Sequence, residues 1–293
     1  MYRMHTLIPG GGTMKITINR SMSIGLLLAG VMVLVALFAP WLAPNDPYQA
    51  NLDERLVSPT LTATSEYPLG TDHLGRCILS RALFATRISL IIGISVISLS
   101  LFTGTVIGAV SGYVGGVVDE VIMRVVDAFL SFPGMFVALA VAGIFGGSII
   151  GLVVALALVE WTVFARISRG SVISVKNMDF VLASRSMGAG NLHILRYHIL
   201  PNITSPLLVI ATLGMGYVIL AAASLSFLGL GISSYPELGM MVNDGRYFLQ
   251  SAPHVMFVPG MFIVSIVLGF NFIGDGLRDI FDPKDTKQRW RVF

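Results

Sequence analysis

The amino-acid sequence predicts an all-α integral membrane protein with six transmembrane helices and both termini on the cytoplasmic side. Three observations carry that expectation. First, 55% of the 293 residues are hydrophobic and 12% charged, against about a quarter charged in an ordinary soluble domain. Second, crossing a hydrocarbon core takes about 20 apolar residues in a helix, and such runs stand at 24–43, 88–110, 129–145, 149–165, 207–231 and 255–274. None alternates in the manner of an outer-membrane barrel strand. Third, basic residues stay on the cytoplasmic side, and placing the N-terminus inside puts all but Arg55, Arg76, Arg81, Arg87 and Arg246 of the 19 Lys and Arg there. The same bias accounts for the net charge of +3 without a nucleic-acid partner.

The elements follow in order. Residues 1–23 form a cytoplasmic tail, of which 1–13, with Gly10, Gly11 and Gly12, read as disordered and Met14 as a second possible start. Arg3, Lys15 and Arg20 precede the first run as they would in a signal peptide. The run is longer than the 7 to 15 residues of such segments, and it ends in Pro40, Trp41 and Pro44 without a clear small-residue cleavage site. It therefore reads as an uncleaved anchor over 24–43. The loop 44–87 is extracytoplasmic and punctuated by Pro44, Pro47, Pro59 and Pro68, and a second external loop over 232–254 holds Pro236 and Pro253. Residues 88–275 make up the main membrane domain, and 276–293 a cytoplasmic tail.

Within the membrane domain, Ser100, Gly104, Gly108 and Gly112 recur every fourth residue, which lines one helix face with small groups and lets another backbone approach. Between Asp119 and Ala128, Glu120, Arg124 and Asp127 lie opposite Val121, Ile122, Val125 and Val126. The charges are spaced to pair along a helix, either at an interfacial start of the third span or as gate residues, with Pro133 kinking or starting the buried part. Glu160 is the one ionisable residue deep in an apolar run. A carboxylate there is costly unless it faces protein or water, so it lines a pathway or reaches toward the cytoplasmic end near Arg166. Cys77 is the single cysteine, which leaves no internal disulfide and no cysteine metal cluster. The 14 Met read as filler of irregular apolar gaps.

Residues 179–201, DFVLASRSMGAGNLHILRYHILP, are polar and basic between two greasy spans. Asp179 is placed to cap a short helix with Phe180, Ala183, Ser184 and Met187 on one side and Leu182, Arg185 and Ser186 on another. Gly188 and Gly190 then stop it. Asn191 is placed to cap a second helix bearing Leu192, Leu195 and Ile199, ended by Pro201 and Pro206. A bent helix pair on the inner face suits the groove of a soluble partner; the competing reading lays it on lipid headgroups, with Arg185 and Arg196 toward anionic lipid.

Several functions are excluded by what the chain lacks. G-x-x-x-x-G-K-[ST] is absent, so the chain holds no P-loop of its own. His-Glu-x-x-His and Gly-x-Ser-x-Gly are absent, and His5, His73, His193, His198 and His254 all lie outside the apolar runs, which argues against an intramembrane protease. A secondary transporter or channel using Glu160 is the rival of another class, and it gives no reason for the bent helix pair.

The 179–201 stretch resembles the EAA loop of ABC importer permeases, E-A-A-x-x-x-G-x9-I-x-L-P. Ala183 matches the first Ala, Gly188 the Gly and Leu200-Pro201 the closing pair, whereas Leu182 stands for the Glu, Ser184 for the second Ala and His198 for the Ile. The segments 68–76, Ser80-Arg81, 112–116, Met123-Arg124, Asp127, 226–231 and 274–279 look like signatures of the dipeptide, oligopeptide and nickel branch, with Cys77 where that branch usually has Asp. The resemblance implies a type I ABC importer permease fold in the bacterial inner membrane, paired with a second homologous permease. It implies an external solute-binding protein that delivers the ligand and two cytoplasmic ATPases that use ATP and Mg, with no cofactor held by this chain. The coupling loop over 176–201 would then act through Asp179, Phe180, Val181, Leu182, Ala183, Ser184, Arg185, Gly188, Leu200 and Pro201. Among known ligands of the branch, 70–76, 180–185, 188–190 and 241–244 look most similar to nickel permeases, making a nickel chelate the leading expectation and short peptides the alternative.

Overall fold

The computed structural model describes residues 19–60, 66–232 and 234–281. The expected disordered segment 1–13, the two possible starts and most of the 276–293 tail lie outside the described residues. Among the described residues, ten α-helices run in chain order: α1 (Arg20–Leu42), α2 (Ile78–Val114), α3 (Gly116–Ser131), α4 (Gly134–Phe145), α5 (Ile149–Lys176), α6 (Asp179–Ser186), α7 (Asn191–Ile194), α8 (Leu200–Leu225), α9 (Leu238–Gly245) and α10 (His254–Phe281). Five helical columns are long and apolar enough to cross a membrane, and the bent pair α3 and α4 would make a sixth. Large apolar side chains such as Leu27, Phe102, Phe136 and Ile144 face outward, as a lipid solvent requires.

Several helices outrun the apolar runs. α2 starts at Ile78 rather than 88 and has 37 residues, about 55 Å at 1.5 Å per residue, so the loop expected over 44–87 ends at Cys77. Hydropathy missed the extension because Arg81 and Arg87 lie within it, and Arg81 is buried by polar partners from the loop. The third run, 129–145, is not one helix: α3 and α4 meet at 86°. Phe132, between them, is extended with φ −96° and ψ 142°, the conformation favoured before a proline; Pro133 thus kinks the span.

Pro201 and Pro206 do not end the second helix of the polar stretch, contrary to expectation. Residues Asn191–Leu230 form one helical column in which Leu195–Ile199 is a π-turn immediately before α8. Proline has no N–H and its ring crowds the carbonyl four residues back; the wider turn before Pro201 is the kind of local adjustment that accommodates it.

The α2 and α5 helices pack backbone to backbone along the small-residue stripe. Ser100 Oγ donates to Ala157 O at 3.4 Å, and Gly104 and Gly108 face the carbonyls of Trp161 and Ala165 with no room for a Cβ. A Cβ on Gly112 would stand 2.8 Å from Arg169 O and 3.1 Å from Val172 Cβ. The core around this seam includes Ile92, Val96, Leu156, Phe164, Ile203 and Ile219.

The end of the bundle at the α2 N-terminus is closed by the first loop. Asp72 accepts from Leu74 N at 2.9 Å and Arg76 N at 3.0 Å on one oxygen, and from Arg76 Nε at 2.7 Å on the other. Arg81 Nε lies 3.5 Å from that second oxygen, and Arg81 Nη1 donates to Pro47 O at 3.2 Å. Gly75 has φ +74° and lies against the Asn51 backbone, a left-handed, crowded position that suits glycine alone. Nearby, Glu237 is 2% exposed and caps α9, accepting from Gly239 N at 3.0 Å and Met240 N at 2.9 Å.

Candidate functional site

At the opposite end, where α2 finishes, α6 and α7 form a two-helix elbow. Its first helix is not capped by Asp179: the cap position is Met178, without a side-chain hydrogen bond, and Asp179 is the first helical residue. There its charge still favours the helix N-terminus. Gly188 stops the helix as expected, with φ +87°, while Gly188 N donates to Arg185 O at 3.0 Å and Ala189 N to Ser184 O at 3.1 Å. Asn191 likewise opens the second helix from inside, with Gly190 at the cap position.

The buried and exposed sides of the elbow differ from the faces expected from spacing. Val181, Ser184, Ile194 and Ile199 are buried; Ile194 and Ile199 stand five apart, the hydrogen-bond span of a π-turn. Exposed instead are Phe180 at 42%, Leu182 at 45%, Met187 at 82% and Leu192 at 78%, together with Ala183 and Arg185. Leu200 is half-buried and Pro201 exposed at the start of α8. Across the elbow, Ser184 Oγ and His198 Nε2 are hydrogen-bonded at 3.1 Å, with the Phe180 ring 6.1 Å and the His193 ring 5.8 Å from that imidazole.

The α5 root of the elbow and the start of its second helix both hold the last turn of α2. Lys176 Nζ donates to Gly112 O at 2.7 Å and Tyr113 O at 3.3 Å, a cation at a helix C-terminus. The Tyr113 hydroxyl donates to Asn191 Oδ1 at 2.9 Å.

Of the expected gate residues, Arg124 and Glu120 form only an exposed pair at 3.9 Å, and Asp127 pairs across helices with Arg166 at 2.5 Å rather than along α3. Glu160 is buried in α5, with no hydrogen bond or ion pair to its carboxylate among the described residues. The structure thus leaves Glu160 inside the bundle and occupies Arg166 with Asp127, so the two do not meet. Sequence reasoning missed a stronger contact: Asp119 receives Arg169 Nε and Nη2, both at 2.5 Å, and also bonds the Ser111 hydroxyl. The acid in the first turn of α3 and the base on α5 were visible, but nothing local pairs positions fifty apart.

A family model described as "binding-protein-dependent transport system inner membrane component" matches residues 104–287, and one described as "N-terminal TM domain of oligopeptide transport permease C" matches 18–59. The chain is 41% identical over 267 residues to a dipeptide transport system permease protein of Alkalihalophilus pseudofirmus, covering 91% of this chain and 86% of that one. It is 40% identical over 264 residues to a nickel transport system permease protein of Escherichia coli K12, covering 90% and 94%. A glutathione transport system permease protein of Pectobacterium atrosepticum is 41% identical over 255 residues, covering 87% and 84%. Among solved structures, a chain of the inward-facing MetNI methionine ABC transporter superposes with a TM-score of 0.52 at 20% identity, over 66% of this chain and 94% of that one; it bears on the fold alone. The all-helical bundle, the spans and these matches agree: this chain belongs to the inner-membrane permease family of binding-protein-dependent ABC importers, as a multi-pass transport subunit and not an enzyme.

Proposed function

We propose that the α6 and α7 elbow is where this permease seats on a cytoplasmic ATPase, in an assembly with a second permease, two ATPases and an external binding protein. One observation carries the reading: Phe180, Leu182, Met187 and Leu192 are exposed together on a short, basic elbow, outside the apolar runs that lipid would cover. Apolar anchors with a polar rim are what a protein groove takes up. The elbow then lies in the cytoplasm, and ligand passes between outward-facing and inward-facing states that nucleotide binds unequally. Asp179, Val181, Ala183, Ser184, Arg185, Gly188, Leu200 and Pro201 shape this seat. Glu160, buried and unpaired in α5, lines the route or its wall, and Arg124 and Asp127 flank the α3 side.

Co-purification tests the seat. Ala183→Asp or Gly188→Pro should leave the chain in the membrane yet release the ATPases, and Arg185→Glu should weaken their retention. Full retention in all three with normal ATP turnover would defeat the reading. If Arg185→Glu alters only attachment to anionic vesicles, the lipid reading replaces it.

For the ligand we propose nickel as a chelate, from the likeness of 70–76, 180–185, 188–190 and 241–244 to nickel permeases. The similar identity to dipeptide and nickel relatives supports dipeptides as a second reading. Calorimetry on the partnering binding protein decides: tight dipeptide binding with no response to nickel chelates would remove nickel.

A further inference from the structure

We propose that Tyr113 and Lys176 are positioning residues that pass the displacement of the elbow to α2 and α5 in preference to α8; this rests on the elbow being the ATPase seat. The elbow leaves the bundle from α5 and returns to it through α8, so chain connectivity alone offers two routes. The structure makes them unequal.

On the α5 side, Lys176 Nζ reaches the carbonyls of Gly112 and Tyr113 at 2.7 and 3.3 Å. On the return side, the Tyr113 hydroxyl holds Asn191 Oδ1 at 2.9 Å. The α5 root of the elbow and the first residue of α7 therefore grip one turn, the last of α2. Behind that turn, Gly112, Gly108, Gly104 and Ser100 set α2 against the α5 backbone with no α2 side chain larger than a serine between them. Close-packed interiors transmit displacement rather than absorb it, so α2 and α5 travel as one arm.

The route to α8 has a different construction. It passes through the π-turn Leu195–Ile199 and then Pro201, which has no N–H to close the ladder. Irregular turns of this kind are where helices bend. Val181, Ile194 and Ile199 already bury the elbow's inner side, so the bonds of Tyr113 and Lys176 to it and to α2 are additional to that burial.

The test uses the assembled transporter in liposomes, with paired spin labels on this chain and ATP plus Mg against no nucleotide as the only change. Ser186→Cys on α6 is paired with Val106→Cys on α2 in one sample and with Leu208→Cys on α8 in another, both in a Cys77→Ser background. Val106 and Leu208 are exposed at 48% and 45%, so labels there disturb no core. The shift in the 186 to 208 distance should be at least double the shift in the 186 to 106 distance. Tyr113→Phe combined with Lys176→Met should abolish that difference while Lys176→Arg keeps it. Equal shifts in the unaltered chain, a larger shift toward α2, or no effect of the double substitution overturns the proposal. ATPase retention is scored in the same preparations, so a failed seat, shown by the Ala183→Asp control keeping its ATPases, is told apart from a failed strut.

Discussion

Ser184 Oγ lies 3.1 Å from His198 Nε2, and these are two of the positions at which the elbow departs from the Ala and Ile of the family's loop pattern. The departures are one feature rather than two. A small polar group on α6 meets an imidazole on the π-turn, and the bond braces the elbow where the pattern would use apolar contact. Ser184→Ala alone should cost about 1 kcal/mol, since it leaves a half-buried ring nitrogen unpaired. The double change Ser184→Ala with His198→Ile should recover most of that loss. A double-mutant cycle on thermal unfolding in detergent checks it; additive losses would show that the pair does not interact.

The α2 and α5 seam should be the position least tolerant of added volume. Gly104→Ala or Gly108→Ala pushes a methyl group into the Trp161 or Ala165 carbonyl, and overpacking of this kind costs about 1 to 3 kcal/mol. Gly143, which has nothing within 4 Å of its missing Cβ, should accept Ala without loss. Melting temperatures of the three variants, measured side by side, provide the comparison.

Asp72 should be the keystone of the first loop. Asp72→Ala strands the buried Arg81 guanidinium without its carboxylate, and breaking a buried pair from one side costs about 3 to 5 kcal/mol. The double change Asp72→Asn with Arg81→Met should be milder than Asp72→Ala. Limited proteolysis of that loop in permeabilised membranes reports the difference: rapid cleavage is expected in Asp72→Ala and slow cleavage in the double variant.

Glu237 gives a pH dependence with a defined sign. Burial raises its pKa above the ordinary carboxylate value of 4.5, opposed in part by the Gly239 and Met240 amides. The folded state then holds its proton at pH values where the unfolded chain has lost it. The contribution of this group is fully present below the unfolded pKa and is lost as pH rises through the folded one. Unfolding midpoints of the unaltered chain should therefore fall, relative to Glu237→Gln, as pH is raised from about 4.5. A parallel pH profile in the two proteins would rule out this linkage.

Asp119 and Arg169 join α3 to α5 through two bonds of 2.5 Å. Either Asp119→Asn or Arg169→Gln should loosen α3, with a loss of about 1 kcal/mol given the partial exposure of the pair. Exchanging the two, Asp119→Arg with Arg169→Asp, should restore part of it. Hydrogen exchange over 116–131 is the direct measurement.

Class, the apolar runs behind the spans and the existence of the elbow were legible in the sequence, because each depends on properties that lie along the chain. Hydropathy over a fixed length marks a span, and a glycine every fourth residue marks a face. Gly188 and Gly190 mark a stop between two polar turns. What the tertiary structure decided is which groups meet. Hydropathy placed the start of α2 at 88 because it counts Arg81 as exposed, whereas Asp72 and the Pro47 carbonyl bury it. Spacing paired Asp127 with its own helix, whereas Arg166 of α5 takes it, and no local rule joins Asp119 to Arg169 or Tyr113 to Asn191. Proline read as a helix end became the site of a π-turn, since the column had partners enough to continue. Apolar burial is cheap to read because every lipid or core contact is alike, while a polar group is satisfied only by one partner at one angle, and that partner is brought by the fold.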